Sequence, residues 1–526
     1  MRQSLHPCQS VASGRPELKQ PLRILPAGFN TAMMSLIFAF RNPSSGIGWQ
    51  NRVPRVQQPE RASMSASLHM NGAGHGDASA AKFFAFLIAF VASVGGFLFG
   101  YDLAIVCGAN LYLKEVFHLS PTQFGFATGS AALGCIVGPF LGAWMCDAMG
   151  RNRTMIVACV LLGIGSVFTA IPDDIVTFNV FRIVGGIGVG LCSVASPLYI
   201  SEISPPRLRG GFGIMYQLAI VVGSIAAPFV SFMIVKLAPG NTAWRWMFAS
   251  ELLPVAAFLV LLFFLPQSPR WLAGRGRMDE AMRVLVRVDG SDFARNEMEQ
   301  IQSALREEVG SFSELFAPGV RYALIIGLLL AFFNNWTGWS VMSGYIPLLF
   351  EASGIKDRAL AFLQYAVTYG FMGAVTVLAC WTVDRWGRRP LWLIASALMI
   401  LVTGLTGAVF HFHLTGWPVL VVILLCTVPH GLALGPLPWL MMSEIFPIRL
   451  RGRAVSLTTA FLWLTIYAGA QLFPLMTEFS EQRIGSVGGA FWLFSGVCCL
   501  SLLFGWKMLP ETKGRTLEEI AASWKK

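Results

Sequence analysis

Between Lys82 and Pro510 the chain is a succession of apolar runs of about 20 residues, each long enough to cross roughly 30 Å of hydrocarbon. No other feature restricts the fold so sharply. In a lipid core every backbone N–H and C=O must find its partner inside the protein, so such runs are read as helices. They fall at about 83–107, 123–146, 154–172, 177–200, 212–236 and 245–265, then at about 321–350, 359–383, 391–411, 417–442, 454–478 and 487–509. With 55% apolar and 13% charged residues and a mean hydropathy of +0.61, the chain lies outside the usual range of soluble domains.

The net charge of +11 would suggest nucleic acid on a soluble protein, but here it is topology. Arg151, Arg153, Arg207, Arg209, Arg385, Arg388, Arg389, Arg449, Arg451 and Arg453 gather in alternate short loops. The loops between them hold only Lys114, Lys236, Arg245, Lys356, Arg358 and Arg483. This bias puts the arginine-rich side and both termini in the cytoplasm, with the lipid bilayer as partner and no nucleic acid.

The chain also repeats itself. Ser201-Glu-Ile-Ser-Pro-Pro-Arg-Leu-Arg-Gly210 returns as Ser443-Glu-Ile-Phe-Pro-Ile-Arg-Leu-Arg-Gly452, with eight of ten residues kept. Asp147-Ala-Met-Gly-Arg-Asn-Arg153 returns as Asp384-Arg-Trp-Gly-Arg-Arg-Pro390, and Pro266-Gln-Ser-Pro-Arg270 is answered by Pro510-Glu-Thr-Lys-Gly-Arg515. Two related halves in a membrane point to a transporter with its site between them. The expected fold is all-α, with twelve transmembrane helices in two pseudo-symmetric six-helix bundles over 82–266 and 321–510. A helical linker over 267–320 joins them, its apolar spacing predicting helices at Met278–Val288 and Asp292–Glu308. Residues 511–526 form a cytoplasmic tail.

Residues 1–81 are basic, rich in Arg, Ser, Pro and Gly, and without a sustained period. They are read as a disordered extension with no transport role. The apolar piece Thr31–Phe40 is too short to span a bilayer. A signal or transit peptide, or upstream sequence with initiation at Met64 or Met70, are the other readings.

The ten cysteines are scattered, mostly inside apolar runs, with no CxxC or Cys/His metal spacing, so they are read as packing residues. No cofactor or metal is expected. An enzyme is disfavoured: the sequence offers no nucleophile–base pair or phosphate loop, and Gly186-Ile-Gly188-Val-Gly190 lies within a span.

From Lys82 onward the chain resembles the sugar porter branch of the major facilitator superfamily. The resemblance rests on Gly95-Gly-Phe-Leu-Phe-Gly-Tyr-Asp102, Arg182-Ile-Val-Gly-Gly-Ile-Gly-Val-Gly190, Pro266-Gln-Ser-Pro-Arg-Trp-Leu272, Gly435-Pro-Leu-Pro-Trp439 and Pro510-Glu-Thr-Lys-Gly-Arg515. It implies two bundles rocking about a central site, driven in many members by a proton gradient. The chain departs from the family pattern at Gln267, where a glutamate is usual, and at Ala143, where a glycine is usual. Both changes should soften the cytoplasmic charge network.

Asp102, Arg182 and Glu251 are ionisable groups inside apolar spans, which marks them as functional candidates. Burial favours the neutral form of a carboxylic acid and a nearby guanidinium favours the charged form. Competition between the two lets Asp102 hold a proton in one conformation and release it in another, with Arg182 turning to Glu251 when Asp102 is neutral. The resemblance likewise makes the acid of the Phe-Gly-Tyr-Asp motif the proton site. A fixed ion pair in a facilitative uniporter is the alternative.

The same resemblance assigns substrate contacts to Phe99, Gln217, Trp439 and Trp463, and to the seventh-span residues Asn334, Asn335, Ser340 and Tyr345. In that span the family usually has longer amides, and in the eleventh Leu462 replaces a glutamine. His430 stands where an aromatic is common, and is placed to contact an anionic or polar substrate or to titrate near neutral pH. Asp147, Arg151, Glu202, Arg209, Asp384, Arg388, Glu444 and Arg451 are read as a cytoplasmic gate whose ion pairs bridge the halves when the site faces outward.

These observations predict a proton-coupled symporter for a sugar, polyol or similar small polar solute, working as a monomer in the plasma or inner membrane. A symporter for a small organic or aromatic acid is the second reading. A non-transporting nutrient sensor would need a long signalling tail, and only about sixteen residues follow Pro510.

Overall fold

The computed structural model describes residues 75–205, 208–237, 240–306, 311–355 and 357–513, and among them the only regular structure is helical. The extension expected over 1–81 lies outside the described residues as far as 74. Residues 75–81 are the opening turns of span 1, His75–Val116. Spans 2 to 5 are Pro121–Met149, Arg151–Ala170, Ile175–Ile203 and Arg209–Leu237. Span 6 is two helices, Ala243–Ser250 and Leu252–Leu262, that break at Glu251. Span 7 comes in three pieces, Val320–Trp336, Trp339–Ser343 and Ile346–Ala352. Spans 8 and 9 are Arg358–Trp386 and Arg388–His411. Span 10 runs over Trp417–Pro429, a π-helical turn at His430–Leu434, and Pro436–Glu444. Spans 11 and 12 are Ile448–Ile484 and Gly488–Lys507. The pieces of span 10 follow from Pro429, Pro436 and Pro438, which remove backbone donors in its middle. Eleven of these helices are long and apolar enough to cross a membrane, and Val320–Trp336 is a shorter apolar helix.

Small residues let the spans pack backbone to backbone. A Cβ on Gly186 of span 4 would lie 2.0 Å from the Ala131 carbonyl of span 2, so that pair admits no side chain. The linker holds two helices within Met278–Arg306, parted at Asp289 and Gly290, where φ of Gly290 is 86°. Leu272, Ala281, Leu285, Met298 and Ile301 give them a small core of their own, and Phe293 packs against it. Leu305, near the end of the second helix, is exposed.

The two halves meet on the face away from the arginine-rich loops. There the Gln471 amide of span 11 donates to the Thr122 carbonyl at the start of span 2 (2.8 Å), and Asn110 Nδ2 of span 1 donates to the Gly344 carbonyl in the break of span 7 (3.0 Å). At the rim Arg358 of span 8 pairs with Glu115 of span 1 at 2.7 Å, its guanidinium 4.6 Å from the centre of the Tyr112 ring.

On the arginine-rich face the sequence repeat becomes a structural one. Arg151 pairs with Glu202 at 2.7 Å, and the second Glu202 oxygen accepts from Ser268 Oγ. Arg388 pairs with Glu444 at 3.0 Å, and the second Glu444 oxygen accepts from Thr512 Oγ1 at 2.6 Å. Each pair joins spans of one half, whereas the expected gate pairs bridge the halves. Asp147 lies 3.6 Å from Arg151 but its side chain is 82% exposed, so water screens this contact. Arg207 and the side chains of Arg209 and Asp384 fall outside the described residues. Arg449 pairs with Glu314 of the linker at 2.6 Å.

One difference between the copies follows from Gln267. Spans 3 and 9 each start after a glycine with positive φ, Gly150 at 93° and Gly387 at 88°, and each start is capped from afar. Gln267 Oε1 accepts from the Asn152 N–H at 3.4 Å, while Glu511 accepts from the N–H groups of Arg388 (3.1 Å), Arg389 (3.0 Å) and Lys513 (2.8 Å). A Cβ on either glycine would strike its cap, at 2.5 Å from Gln267 and 2.6 Å from Glu511. Partial burial alone would raise the Glu511 pKa, but the three N–H donors and the charge of Arg388 outweigh it and hold the carboxyl below its ordinary range.

A carboxylate with a lowered folded pKa stabilises above its unfolded pKa, about 4.3 for glutamate, and that gain is lost as pH falls through the folded value. Glu511→Gln should therefore lower the melting temperature at pH 7 by an amount reflecting at most about 1 kcal/mol. The difference from wild type should close as the pH approaches 3. Differential scanning fluorimetry across pH 3–8 checks this, and a gap that widens in acid would contradict it.

Candidate functional site

Three buried ionisable groups lie side by side in the first half. Arg182 of span 4 donates to Asp102 of span 1 through Nη1 at 2.5 Å and Nη2 at 3.4 Å, and its guanidinium sits 5.1 Å from the Phe248 ring of span 6. Glu251, in the break of span 6, accepts from Ser166 Oγ of span 3 at 2.9 Å. Each of the three residues is at most 3% exposed. Among the described residues Arg182 Nε and Glu251 Oε1 have no hydrogen-bond partner.

Beside them, between the halves, lies a cavity of about 450 Å³. Arg182 reaches its wall; Asp102 and Glu251 lie behind it. Phe99, Gln217, Asn334, Asn335, Ser340, Tyr345, His430 and Trp439 all line it, drawn from spans 1, 5, 7 and 10. Leu462 lines it too. Trp463 does not: it is fully buried behind the wall, edge-on to Phe99 at 5.5 Å, because span 11 turns the neighbouring Leu462 to the cavity instead.

The broken helices decide what the polar side chains can still do. Asn334 Nδ2 donates to the carbonyls of Leu434 (2.9 Å) and Gly435 (3.0 Å) at the irregular turn of span 10, where Pro438 has no N–H to offer the Leu434 carbonyl. Asn335 Nδ2 donates to the carbonyls of Ala331 and Leu462, both at 3.3 Å, and to Thr465 Oγ1 at 2.8 Å. Carbonyl acceptors require the NH₂ side of each amide, so Oδ1 remains as an acceptor on both residues. Ser340 Oγ donates to the Asn334 carbonyl (3.2 Å) and Tyr345 Oη to the Ala470 carbonyl (2.6 Å). Gln217 keeps its whole amide free among the described residues.

His430 rides on the π-helical turn with its ring 6.2 Å from that of Trp339, and Gly435 leaves room for it, since a Cβ there would lie 3.0 Å from Nε2. Trp339 and Tyr369, with ring centres 6.2 Å apart, also line the cavity and were not singled out from the sequence. Both sit in apolar runs among other aromatics, and only their spacing from Gly338 and Gln364 could have flagged them. Among the described residues that line the cavity, Arg182 is the only permanent cation, and Asp102 neutralises it.

Comparison with known proteins follows the same lines. A family model described as "Sugar (and other) transporter" matches residues 88–524. The chain is 37% identical over 449 residues to the arabinose-proton symporter of Bacillus subtilis (strain 168), covering 84% of this chain and 95% of that protein. It is 35% identical over 472 residues to the D-xylose-proton symporter of Escherichia coli (strain K12), with the same coverage. The inward open conformation of the xylose transporter XylE from E. coli superposes with a TM-score of 0.74 at 33% identity, over 84% of this chain and 100% of that one. The shared family model, the relatives spanning nearly their whole length and the two-bundle fold agree: this chain is an integral membrane protein of the sugar (and other) transporter family, a sugar porter of the major facilitator superfamily.

Proposed function

We propose that the protein carries a sugar across the membrane together with a proton, by alternating access. The observation that carries this is the Asp102–Arg182 pair, buried in lipid-spanning helices with its guanidinium on the cavity wall. An ion pair there must be neutral overall, so protonating Asp102 frees Arg182 to turn toward the unpartnered Glu251 Oε1. A proton on Asp102 and a solute in the cavity are thereby linked through one side chain.

The relatives named as arabinose- and xylose-proton symporters support both the sugar and the proton. Gln217, Asn334 Oδ1 and Asn335 Oδ1 are the groups we assign to sugar hydroxyls, with Phe99, His430 and Trp439 as the packing surfaces around them. A small organic acid fits less well, because its carboxylate would need a cation that Asp102 does not already neutralise. With the arginine-rich face in the cytoplasm, contacts between halves on the other face make this an inward-facing arrangement. One chain supplies both bundles and every wall of the cavity, which supports a monomer, and the plasma or inner membrane is its proposed site.

Purified protein in liposomes should accumulate a labelled pentose or hexose when the outside is more acidic, and lose that accumulation when an ionophore collapses the gradient. Accumulation of an organic acid, with no sugar in the panel moving, would replace this reading.

A further inference from the structure

The cavity wall has a polar part and an apolar part. Gln217, Asn334 and His430 belong to the first, and Asn335 stands at the seam, its Nδ2 donating to the Leu462 carbonyl at 3.3 Å. The apolar part is built on span 11, where Leu462, Ile466 and Ala470 follow at intervals of four and so share one helical face. Ile466 packs both with the buried group of Leu462, Ala331 and Met442 and with the larger cluster that takes in Leu103 of span 1, so the apolar wall is continuous across the halves. Thr465, next along span 11, is buried and donates backwards to the Leu462 carbonyl at 2.7 Å, so it offers this wall nothing.

A hexopyranose carries a hydroxyl on every edge, including the exocyclic one that projects farthest from the ring. An edge that meets the Leu462 and Ile466 side chains loses its water and gains no hydrogen bond from them, which makes an unmet hydroxyl there unfavourable and a C–H edge favourable. We infer that the site selects sugars lacking the 6-hydroxyl, namely pentopyranoses and 6-deoxyhexoses, over the parent hexoses, with the deoxygenated edge against Leu462 and Ile466. This rests on the sugar reading above and narrows it.

Titration calorimetry on the full-length purified protein tests it with matched sets: D-glucose, 6-deoxy-D-glucose and D-xylose, then D-galactose, 6-deoxy-D-galactose and L-arabinose. In the better-bound set, the 6-deoxyhexose or the pentose should bind about tenfold tighter than the parent hexose. If the 6-deoxyhexose leads, the wall holds a methyl group; if the pentose leads, it meets the bare ring edge. Leu462→Gln should shrink the preference to about twofold or less, by returning a donor and an acceptor to the wall. The wild-type comparison stands alone if that variant folds poorly. A parent hexose binding as tightly as both counterparts would overturn the inference and leave the sugar reading intact. No heat from any of the six sugars would overturn the sugar reading and this inference with it.

Discussion

Asp102→Asn protein in liposomes should exchange labelled sugar across a membrane at equal pH and fail to concentrate it against a proton gradient. One proton per sugar, driven by one pH unit, supports about tenfold accumulation in the wild type, and the variant should stay at a ratio of about one. The substitution keeps the shape of the side chain and removes its titration. It also leaves Arg182 buried without its carboxylate, a loss that ranges to about 3–5 kcal/mol when nothing else compensates. Glu251 Oε1 is the available replacement. Hence Asp102→Asn should remain folded, and Asp102→Asn combined with Glu251→Gln should be markedly less stable than either single variant. Thermal melts of the four proteins in detergent, read with the uptake assay, check both halves of this statement. Uphill uptake by Asp102→Asn at the wild-type ratio would remove Asp102 from the coupling.

The second large effect concerns the two rims, which should respond in opposite directions. Arg358 and Glu115 join the halves on the side away from the arginine-rich loops, so Arg358→Gln should open that side and populate the outward-facing state. In the outward-facing state we assign Arg151 and Arg388 to contacts across the arginine-rich face, so Arg388→Gln should populate the inward-facing one and slow turnover. Each pair contributes about 1 kcal/mol or less, which moves the ratio of the two states by up to about fivefold. Spin-label distances across each face would show the two shifts. Distances unchanged in both variants, at low and high salt, would mean that these arginines set topology alone.

The twelve spans were legible because length and hydropathy suffice in lipid, where a helix needs no partner to satisfy its backbone. The break in span 10 could be read from its prolines. The break of span 6 at Glu251 could likewise be read from Pro254, which has no N–H to offer the Ser250 carbonyl, but the three-part course of span 7 could not be read beyond its glycines. The amides of Asn334 and Asn335 were recognised as polar groups facing the site. Their donors being spent on spans 10 and 11 depends on how closely those helices approach, which no local pattern encodes. For the same reason Trp463 was assigned to the cavity: one position along a helix turns a side chain through about 100°, and Leu462 holds the facing place. The repeat of acids and arginines pointed to Arg151 with Glu202 and Arg388 with Glu444 as charged groups on one face, but not to pairs that stay within each half. Which acid meets which arginine was decided by packing within each bundle.

The coupling of sugar to proton is tested most directly by the pH of the medium. Wild-type liposomes in weak buffer, with equal pH inside and out, should take up protons when the preferred sugar is added outside. An external pH dye should record a transient alkalinisation, which Asp102→Asn lacks while still equilibrating labelled sugar. Sugar entry by the wild type at an unchanged external pH would contradict the account and make the protein a uniporter.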